Sequence, residues 1–263
     1  METKNVFAKI AYIVATSAAL AIAIAVDAPS SSAASLSVTN SGFEDPVLAD
    51  KEFTVLEPIP GWGKYDPSAL IPPSVPSDGT APTDAGVYNP PTDAYPNQVP
   101  EGNNAGFAFV TQSPGSGGIG FTQTIASTLT ADTIYNLNVD VGDPIDYDGF
   151  GLTGFPGYAV QLLAGGTVLA EDNNTLKLTE GTFATSTVSY TSSVDSPSLG
   201  QPLEIRLLNL NLPQGSGSEV DFDNARLAAE PVPEPSAILG ILAATSIGYA
   251  MKRKSRKNTR INE

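Results

Sequence analysis

Apolar and polar residues alternate with a period of two along much of the chain, which is the pattern of β-strands that bury one face. In the segment 134–141 the apolar parity consists of Tyr135, Leu137, Val139 and Val141, and Asn or Asp residues lie between them. Similar alternation or short apolar runs occur at 53–56, 105–111, 120–125, 158–164, 166–170, 182–191, 203–207 and 219–227. Clusters of Gly, Pro, Asn and Asp separate these segments, so we predict short strands joined by turns.

The predicted fold is all-β: a single antiparallel β-sandwich of the jelly-roll type over residues 35–230. Residues 58–100 hold 11 of the 22 prolines and show no clear strand after Trp62, so we expect a long surface loop there. In the last strand Val220 and Phe222 share one parity, whereas Ala225 and Leu227 share the other. This slip of one residue predicts a β-bulge at 223–224.

The composition excludes many kinds of catalysis. The 263 residues include no His and no Cys. Without them there is no Ser-His-Asp or Cys-His nucleophile, no disulfide and no common ligand for zinc. The 25 acidic residues between 35 and 235 make carboxylate pairs inevitable, so they identify no glycosidase site. We therefore predict a protein that is not an enzyme.

Charge is distributed unevenly along the sequence. Residues 35–235 carry only five basic residues against the 25 acidic ones, and residues 236–263 carry six basic residues against one acidic. The acidic body would repel a phosphate backbone, which excludes nucleic acid as its partner.

The N-terminus has the pattern of a secretory signal peptide. Two lysines precede an apolar run at 10–26, and small residues follow it, including Ser32 and Ala34 at positions suited to signal peptidase. We predict a signal helix and a signal peptide at 1–34; an uncleaved membrane anchor is the alternative.

The C-terminus combines Pro233, Glu234 and Pro235 with an apolar run at 237–251 and a basic cluster that begins with Lys252, Arg253 and Lys254. The run predicts a short transmembrane helix whose basic end stays in the cytoplasm. Residues 231–257 closely resemble the PEP-CTERM sorting signal of exported bacterial proteins, with a polar tail at 258–263. The resemblance implies an exosortase-type transpeptidase as partner, transient residence in the cell membrane, and a final location at the cell surface or in the extracellular matrix. A plain membrane anchor is the alternative.

The body resembles the galactose-binding-like jelly-roll family, which includes many carbohydrate-binding modules. An N-x-G-F-E-like opening at 40–44 and a D-N-A-x-L-like ending at 223–227 carry the likeness. The resemblance implies that Glu44 and Asp223 hold a structural Ca²⁺; a capped turn and a solvent-facing carboxylate are the alternative. Oxygen ligands on adjacent strands suit this ion.

Sugar recognition requires exposed aromatic faces. The candidates are Trp62, Tyr65, Tyr88, Tyr147 and Phe150, with Tyr95 and Phe155 as further aromatic residues in or near loops. We therefore expect a non-catalytic module that binds extracellular polysaccharide. The alternatives are a structural matrix or coat protein without a specific ligand and, third, a glycan hydrolase.

Overall fold

The predicted strands are present in the computed structural model of the protein, which describes residues 32–56, 58–74 and 81–233. Within these ranges the strands are β1 (Ala34–Leu36), β2 (Phe53–Thr54), β3 (Gly63–Tyr65), β4 (Asp84–Tyr88), β5 (Ala105–Phe109), β6 (Ile119–Thr128), β7 (Thr133–Asp143), β8 (Tyr158–Ala164), β9 (Thr167–Asn173), β10 (Thr182–Thr191), β11 (Pro202–Asn209) and β12 (Glu219–Pro231). No helix occurs in this part of the chain.

The strands form two antiparallel sheets. The larger sheet has seven strands in the order β10-β7-β12-β5-β4-β2, with β1 also paired to β12, and the smaller has the order β3-β6-β11-β8-β9. One apolar core contains residues of both sheets, which confirms the predicted all-β sandwich.

The core is formed by the apolar parity of each strand. Leu137, Val139 and Val141 of β7 are fully buried, as the alternation predicts. At one end of the core Phe43 stacks on Trp62, with ring centroids 5.1 Å apart. Residues of the opposite parity point away from the core, to the outer faces of the sheets, where they can contact a ligand.

The predicted bulge in β12 is confirmed. The register between β12 and β7 shifts between Asp223 and Arg226, and Asn224 has a φ of 52°. The Asn224 side chain donates to Oδ2 of Asp140 at 2.9 Å. The bulge places Asp223 and Ala225 on opposite faces of the sheet, as a slipped parity requires.

The structure differs from the sequence-based expectation at 58–100, where it places β3 and β4. β4 reads Asp-Ala-Gly-Val-Tyr, and all five of its residues are buried. Because both faces are covered, the strand lacks the alternation that reveals a half-buried strand. β3 has only three residues, which is too short for a periodic signal.

Residues Ala33–Pro231 form one compact unit. The predicted signal peptide lies outside the described residues except for residues 32–34. The predicted sorting segment lies outside them except for residues 231–233, and so does the whole tail at 258–263. Among the residues that the structure does describe, none belongs to a helix with the length and hydropathy of a membrane span.

Candidate functional site

The outer face of the larger sheet carries a row of acidic and aromatic side chains. Phe109 of β5 lies opposite both Asp84 of β4 and Glu219 of β12. Two residues further along, Phe107 lies opposite Asp221. Directly opposed residues point to the same face of a sheet. The residues between them point into the core instead: Ala85, Val87, Ala108, Val220 and Phe222.

A cavity of about 610 Å³ lies over this row. Its aromatic walls are formed by Phe53, Tyr88, Phe107, Phe109, Tyr147 and Phe150. The Tyr88 and Phe107 rings meet edge to face at 5.6 Å, and the Tyr147 and Phe150 rings do so at 5.5 Å. The charged residues at the cavity are Lys51, Asp84, Asp148 and Glu219. A concave, mainly apolar space of this size with a few polar groups is typical of a small-molecule site.

A buried pair of carboxyl groups lies at the wall of the cavity. Asp221 is 0% exposed, and its Oδ2 accepts hydrogen bonds from the hydroxyls of Tyr88 at 2.5 Å and Tyr95 at 2.6 Å. Its Oδ1 is also buried, but receives no hydrogen bond from any donor in the described residues. Glu219, two residues earlier in β12, lines the cavity and is 7% exposed.

The surroundings of this pair favour the protonated form of both carboxyl groups. Burial raises the pKa of Asp221 to about 7, although the hydrogen bonds from Tyr88 and Tyr95 act in the opposite direction. Burial raises the pKa of Glu219 well above its usual range, and the charge of Asp221 raises it further. A proton on Glu219 can be donated to Asp221, whose Oδ1 otherwise lacks a donor. The cavity therefore has at its wall a carboxyl group, Glu219, whose surroundings favour the protonated form.

The second tyrosine of the pair's network reaches Asp221 from a loop. Tyr95 follows β4, is 1% exposed and tilts against Phe183, with ring centroids 4.5 Å apart. Asp143, at the end of β7, is also buried, and its Oδ1 has no partner among the described residues. Burial raises the pKa of Asp143 to about 7, and the charge of Glu180 contributes. Asp143 therefore adds a further carboxyl group near the network.

The two predicted calcium ligands both contact the loop at 101–104. Oε1 of Glu44 accepts the backbone N–H groups of Asn103 at 2.9 Å and Asn104 at 2.8 Å. Oδ2 of Asp223 accepts the N–H of Glu101 at 2.8 Å. One short loop thus connects both carboxylates.

Two glycines make room for the carboxylates at this loop. A Cβ atom at Gly102 would lie 2.2 Å from the carboxyl carbon of Glu44, and one at Gly42 would lie 2.9 Å from that of Glu101 and 3.3 Å from Oδ1 of Asp223. Burial raises the pKa of Asp223 to about 8, and the charges of Glu101 and Asp140 add to this. Within the described ranges no group of three or more acidic side chains has the arrangement of a metal site.

The aromatic candidates divide into two groups. Tyr88, Tyr147 and Phe150 line the cavity. Trp62 does not, because it is 3% exposed, stacks on Phe43 in the core and donates from Nε1 to the carbonyl of Asn40 at 2.9 Å. Tyr65 lies on β3 of the smaller sheet, where the guanidinium of Arg206 covers its ring at 4.1 Å. Of the sorting residues, only Pro233 is described; Glu234, Pro235, Lys252, Arg253 and Lys254 lie outside.

Sequence reasoning missed Glu219 and Asp221, although a signal was present. In β12 the acidic residues 219, 221 and 223 alternate with Val220 and Phe222, so three carboxylates share one face of a strand whose other face is core. Like charges two residues apart on one strand face repel each other unless protons or cations compensate. The electrostatic repulsion among these three carboxylates is unfavourable for folding, so their presence on one strand face indicates a functional site.

Comparisons with known proteins agree on one family. A family model described as HpiC1 cyclase, HpiC1-like, matches residues 34–228. The crystal structure of the Stig cyclase Fisc from Fischerella sp. TAU in complex with (3Z)-3-(1-methyl-2-pyrrolidinylidene)-3H-indole is 42% identical, with a TM-score of 0.71 over 77% of this chain and 100% of that one. A cyclase from the same organism in complex with 4-(1H-indol-3-yl)butan-2-one is 42% identical, with a TM-score of 0.70 over 76% of this chain and 100% of that one. No curated protein matches the chain.

These similarities overturn the predicted activity and partners. The matched proteins are cyclases, so the identification as an exosortase-sorted PEP-CTERM protein with a carbohydrate-binding module is wrong. The expectation of a protein without enzymatic activity is wrong for the same reason, and so are the coat-protein and glycan-hydrolase alternatives. An exosortase, a membrane and a polysaccharide gain no support as partners, since the compounds in the matched complexes are small indole derivatives.

Proposed function

The chain belongs to the HpiC1-like family of cyclases, and on that premise we propose that it closes a ring in an apolar, indole-bearing substrate by acid catalysis in the aromatic cavity. The observation that carries the proposal is the carboxyl pair Glu219 and Asp221, which holds a proton at the wall of an apolar space.

The pair supplies the acid. The hydrogen bonds that Oδ2 of Asp221 accepts from two tyrosines favour its ionised form, whereas burial favours a proton on the Glu219 carboxyl group. Glu219, the member that lines the cavity, donates its proton to the substrate. A carboxylic acid kept neutral by an apolar site is an effective donor at neutral pH. The proposed reaction therefore has three steps: the substrate is protonated, the ring closes, and a proton returns to the carboxyl pair.

The aromatic walls suit the intermediate of such a reaction. Protonation leaves a positive charge on the substrate, and the faces of aromatic rings attract cations. The π electrons of one part of the substrate then form a carbon–carbon bond to the cationic carbon. Loss of a proton from the new ring system to the carboxyl pair restores the pair, so the product has the mass of the substrate. The phenyl groups of Phe107 and Phe109 are placed directly beside the acid by the strand register.

The substrate class follows from size and chemistry. A cavity of about 610 Å³ accommodates an indole with a substituent, and its walls are mainly apolar, with six aromatic residues among them. The related cyclases from Fischerella sp. TAU bind indole compounds in two of their crystal structures.

Calcium is the proposed structural ion, since carboxylate oxygens are the donors that it prefers. Glu44, Glu101 and Asp223 offer hard carboxylate oxygens around the loop at 101–104. Asp223 is buried beside the charge of Glu101, a repulsion that a cation would relieve. The ion would supply no chemistry to the reaction; it would fix the loop between β4 and β5 and thereby the segment that carries Tyr95.

Pairing of β1 with β12, which brings the first and last strands together, also supports the jelly-roll type of sandwich.

Turnover of 3-alkenyl indoles in D₂O tests the proposed function. We expect a cyclic product that contains one deuterium from the acid, with proton loss at a different position. Glu219→Gln and Asp221→Asn should each slow the reaction at least about 100-fold. Asp132→Asn, which alters an exposed aspartate outside the cavity, is the matched control and should retain turnover.

The proposal fails if the indole ketone 4-(1H-indol-3-yl)butan-2-one does not bind and no alkenyl indole is converted. It also fails if turnover survives in both acid variants. Far-UV circular dichroism of each variant excludes unfolding as the cause of a loss.

A further inference from the structure

A second carboxylate of the cavity is held in a way that the acid pair does not explain. Asp84 lines the cavity and is 8% exposed. Its Oδ1 accepts both the Lys64 ammonium and the N–H of Ala85, the latter at 2.8 Å. Lys64 also donates to the carbonyl of Val55 at 2.8 Å, which fixes the ammonium in place. No hydrogen bond to Oδ2 of Asp84 occurs among the described residues, whose donors all reach Oδ1.

The ion pair gives Asp84 a role opposite to that of Glu219. An ionised carboxylate accepts hydrogen bonds but donates none. An acceptor oxygen beside an apolar cavity is costly to leave unpaired once a ligand displaces the water. The cavity therefore favours a ligand that brings an N–H donor to Asp84, while the acid side at Glu219 favours a group that accepts a proton.

The strand register sets the distance between these two ends. Asp84 and Glu219 both lie opposite Phe109, one on each side, so their backbones are two strand spacings apart, about 9.6 Å. A flat bicyclic ring over Phe109 can span the gap between the two carboxyl groups. Its donor edge then lies at Asp84 and its substituted edge at Glu219.

We propose that Asp84 accepts a hydrogen bond from the ring N–H of an indole substrate and thereby determines which way round the substrate lies in the cavity. This inference rests on the proposed function. It adds a specificity-determining residue outside the acid pair, and it explains why an apolar cavity contains a lysine-paired carboxylate.

Two matched probes test the inference on the unmodified protein. 4-(1H-Indol-3-yl)butan-2-one carries the ring N–H, and its benzofuran counterpart replaces that N–H by oxygen without added bulk. By isothermal titration calorimetry the indole should bind at least about tenfold more tightly, because it alone can donate to a charged acceptor. In the double variant Lys64→Met, Asp84→Leu, which removes both charges together, this preference should disappear. Asp132→Asn, which alters an exposed aspartate that does not line the cavity, should keep it.

The outcomes separate the two proposals. Equal affinities for the two probes in the unmodified protein would overturn the role of Asp84 and leave an acid-catalysed cyclase in place. A preference that persists in the folded double variant would overturn it as well. Absence of binding by both probes would instead contradict the proposed substrate class, and with it the inference. Because the first comparison uses no variant, misfolding of the double variant cannot decide the result.

Discussion

Gly142 of β7 lies directly opposite Asp221 of β12, and the absence of a side chain at this glycine admits a hydroxyl group to the aspartate. A Cβ atom at position 142 would lie 2.5 Å from the Tyr95 hydroxyl and 2.6 Å from the Phe183 ring. This close approach is the reason for a glycine at position 142. Backbone conformation is not the reason, since the φ of Gly142 is not in the left-handed region. One strand position thus determines whether the acid pair keeps its second tyrosine.

Substitution of Gly142 by alanine should therefore impair catalysis. The new methyl group displaces the Tyr95 hydroxyl, and Asp221 loses one of its two hydroxyl donors. We expect kcat to fall at least about tenfold, since a hydrogen bond to a charged group contributes about 1.5–3 kcal/mol. Steady-state kinetics on a converted indole measures this. Gly63→Ala is the control, because a Cβ atom there would have ordinary contacts at 3.8 Å. Unchanged kcat in Gly142→Ala would show that Tyr95 has no part in the reaction.

The acid pair predicts how activity depends on pH. The reaction requires a proton on the pair, and the pKa of Asp221 is raised to about 7 and that of Glu219 well above its usual range. Activity should therefore be full at mildly acidic pH and fall as the pH rises through the pKa values of the pair, tenfold per pH unit. The profile of log(kcat/KM) between pH 5 and 10 checks this, with circular dichroism at each pH as a control for folding. A rise in activity above pH 7 would contradict an acid at this site.

Asp143 predicts a pH-dependent stability. Its pKa is raised by burial to about 7 in the folded protein. A carboxyl group with a raised pKa stabilises the fold below its unfolded pKa, and this contribution is lost as the pH rises through the folded value. Between pH 5 and pH 8 the loss from this one group is roughly 2–3 kcal/mol.

The variant Asp143→Asn removes that titration. The free energy of unfolding of this variant, relative to that of the unmodified protein, should be larger at pH 8 than at pH 5. Urea denaturation at both pH values measures this difference. Asp132→Asn, an exposed aspartate in the turn before β7, should leave the difference unchanged. If Asp143→Asn has the same relative stability at both pH values, the carboxyl group is not protonated in the folded protein.

The fold could be predicted from the sequence wherever a strand has one buried face. In β7 the parity of Leu137, Val139 and Val141 identifies the core directly. β4 was not predicted because it is buried on both sides: its inner residues face the core and its outer residues face the cavity. A strand beneath an active site loses the polar parity that pattern analysis needs.

The site could be predicted only in part. Tyr88, Tyr147 and Phe150 were identified as exposed aromatic residues in loops, and they line the cavity. Their purpose was misjudged, because aromatic residues serve sugar stacking and cation stabilisation equally well. The distinction lies in Glu219 and Asp221, and their juxtaposition with Tyr95 depends on a contact 126 residues away in sequence. Periodicity along a chain cannot reveal such a pairing.

Calcium should stabilise the body of the protein through the loop at 101–104. Without a cation, Glu44 and Asp223 are held by backbone N–H groups of this loop, and Asp223 is repelled by Glu101. An ion that binds only the folded state contributes RT ln(1 + [L]/Kd), about 2.7 kcal/mol at a concentration of 100 Kd. For a body of this size that corresponds to a rise in Tm of about 5–10 °C. Differential scanning calorimetry in millimolar Ca²⁺ and in EDTA measures the difference.

Variants at the loop show whether the response comes from this site. Asp223→Ala should abolish the shift in Tm between Ca²⁺ and EDTA, whereas Asp148→Ala, an exposed acidic residue at the cavity, should retain it. The pKa of Asp223 is raised to about 8, so this carboxyl group is ionised at pH 9. In EDTA at pH 9 the unmodified protein therefore carries a destabilising buried charge, which the Asp223→Ala protein lacks. Calcium would thus matter most at the pH where the buried carboxylate is ionised and repelled by Glu101. Identical melting curves of the unmodified protein in Ca²⁺ and in EDTA would show that the loop holds its two carboxylates without an ion.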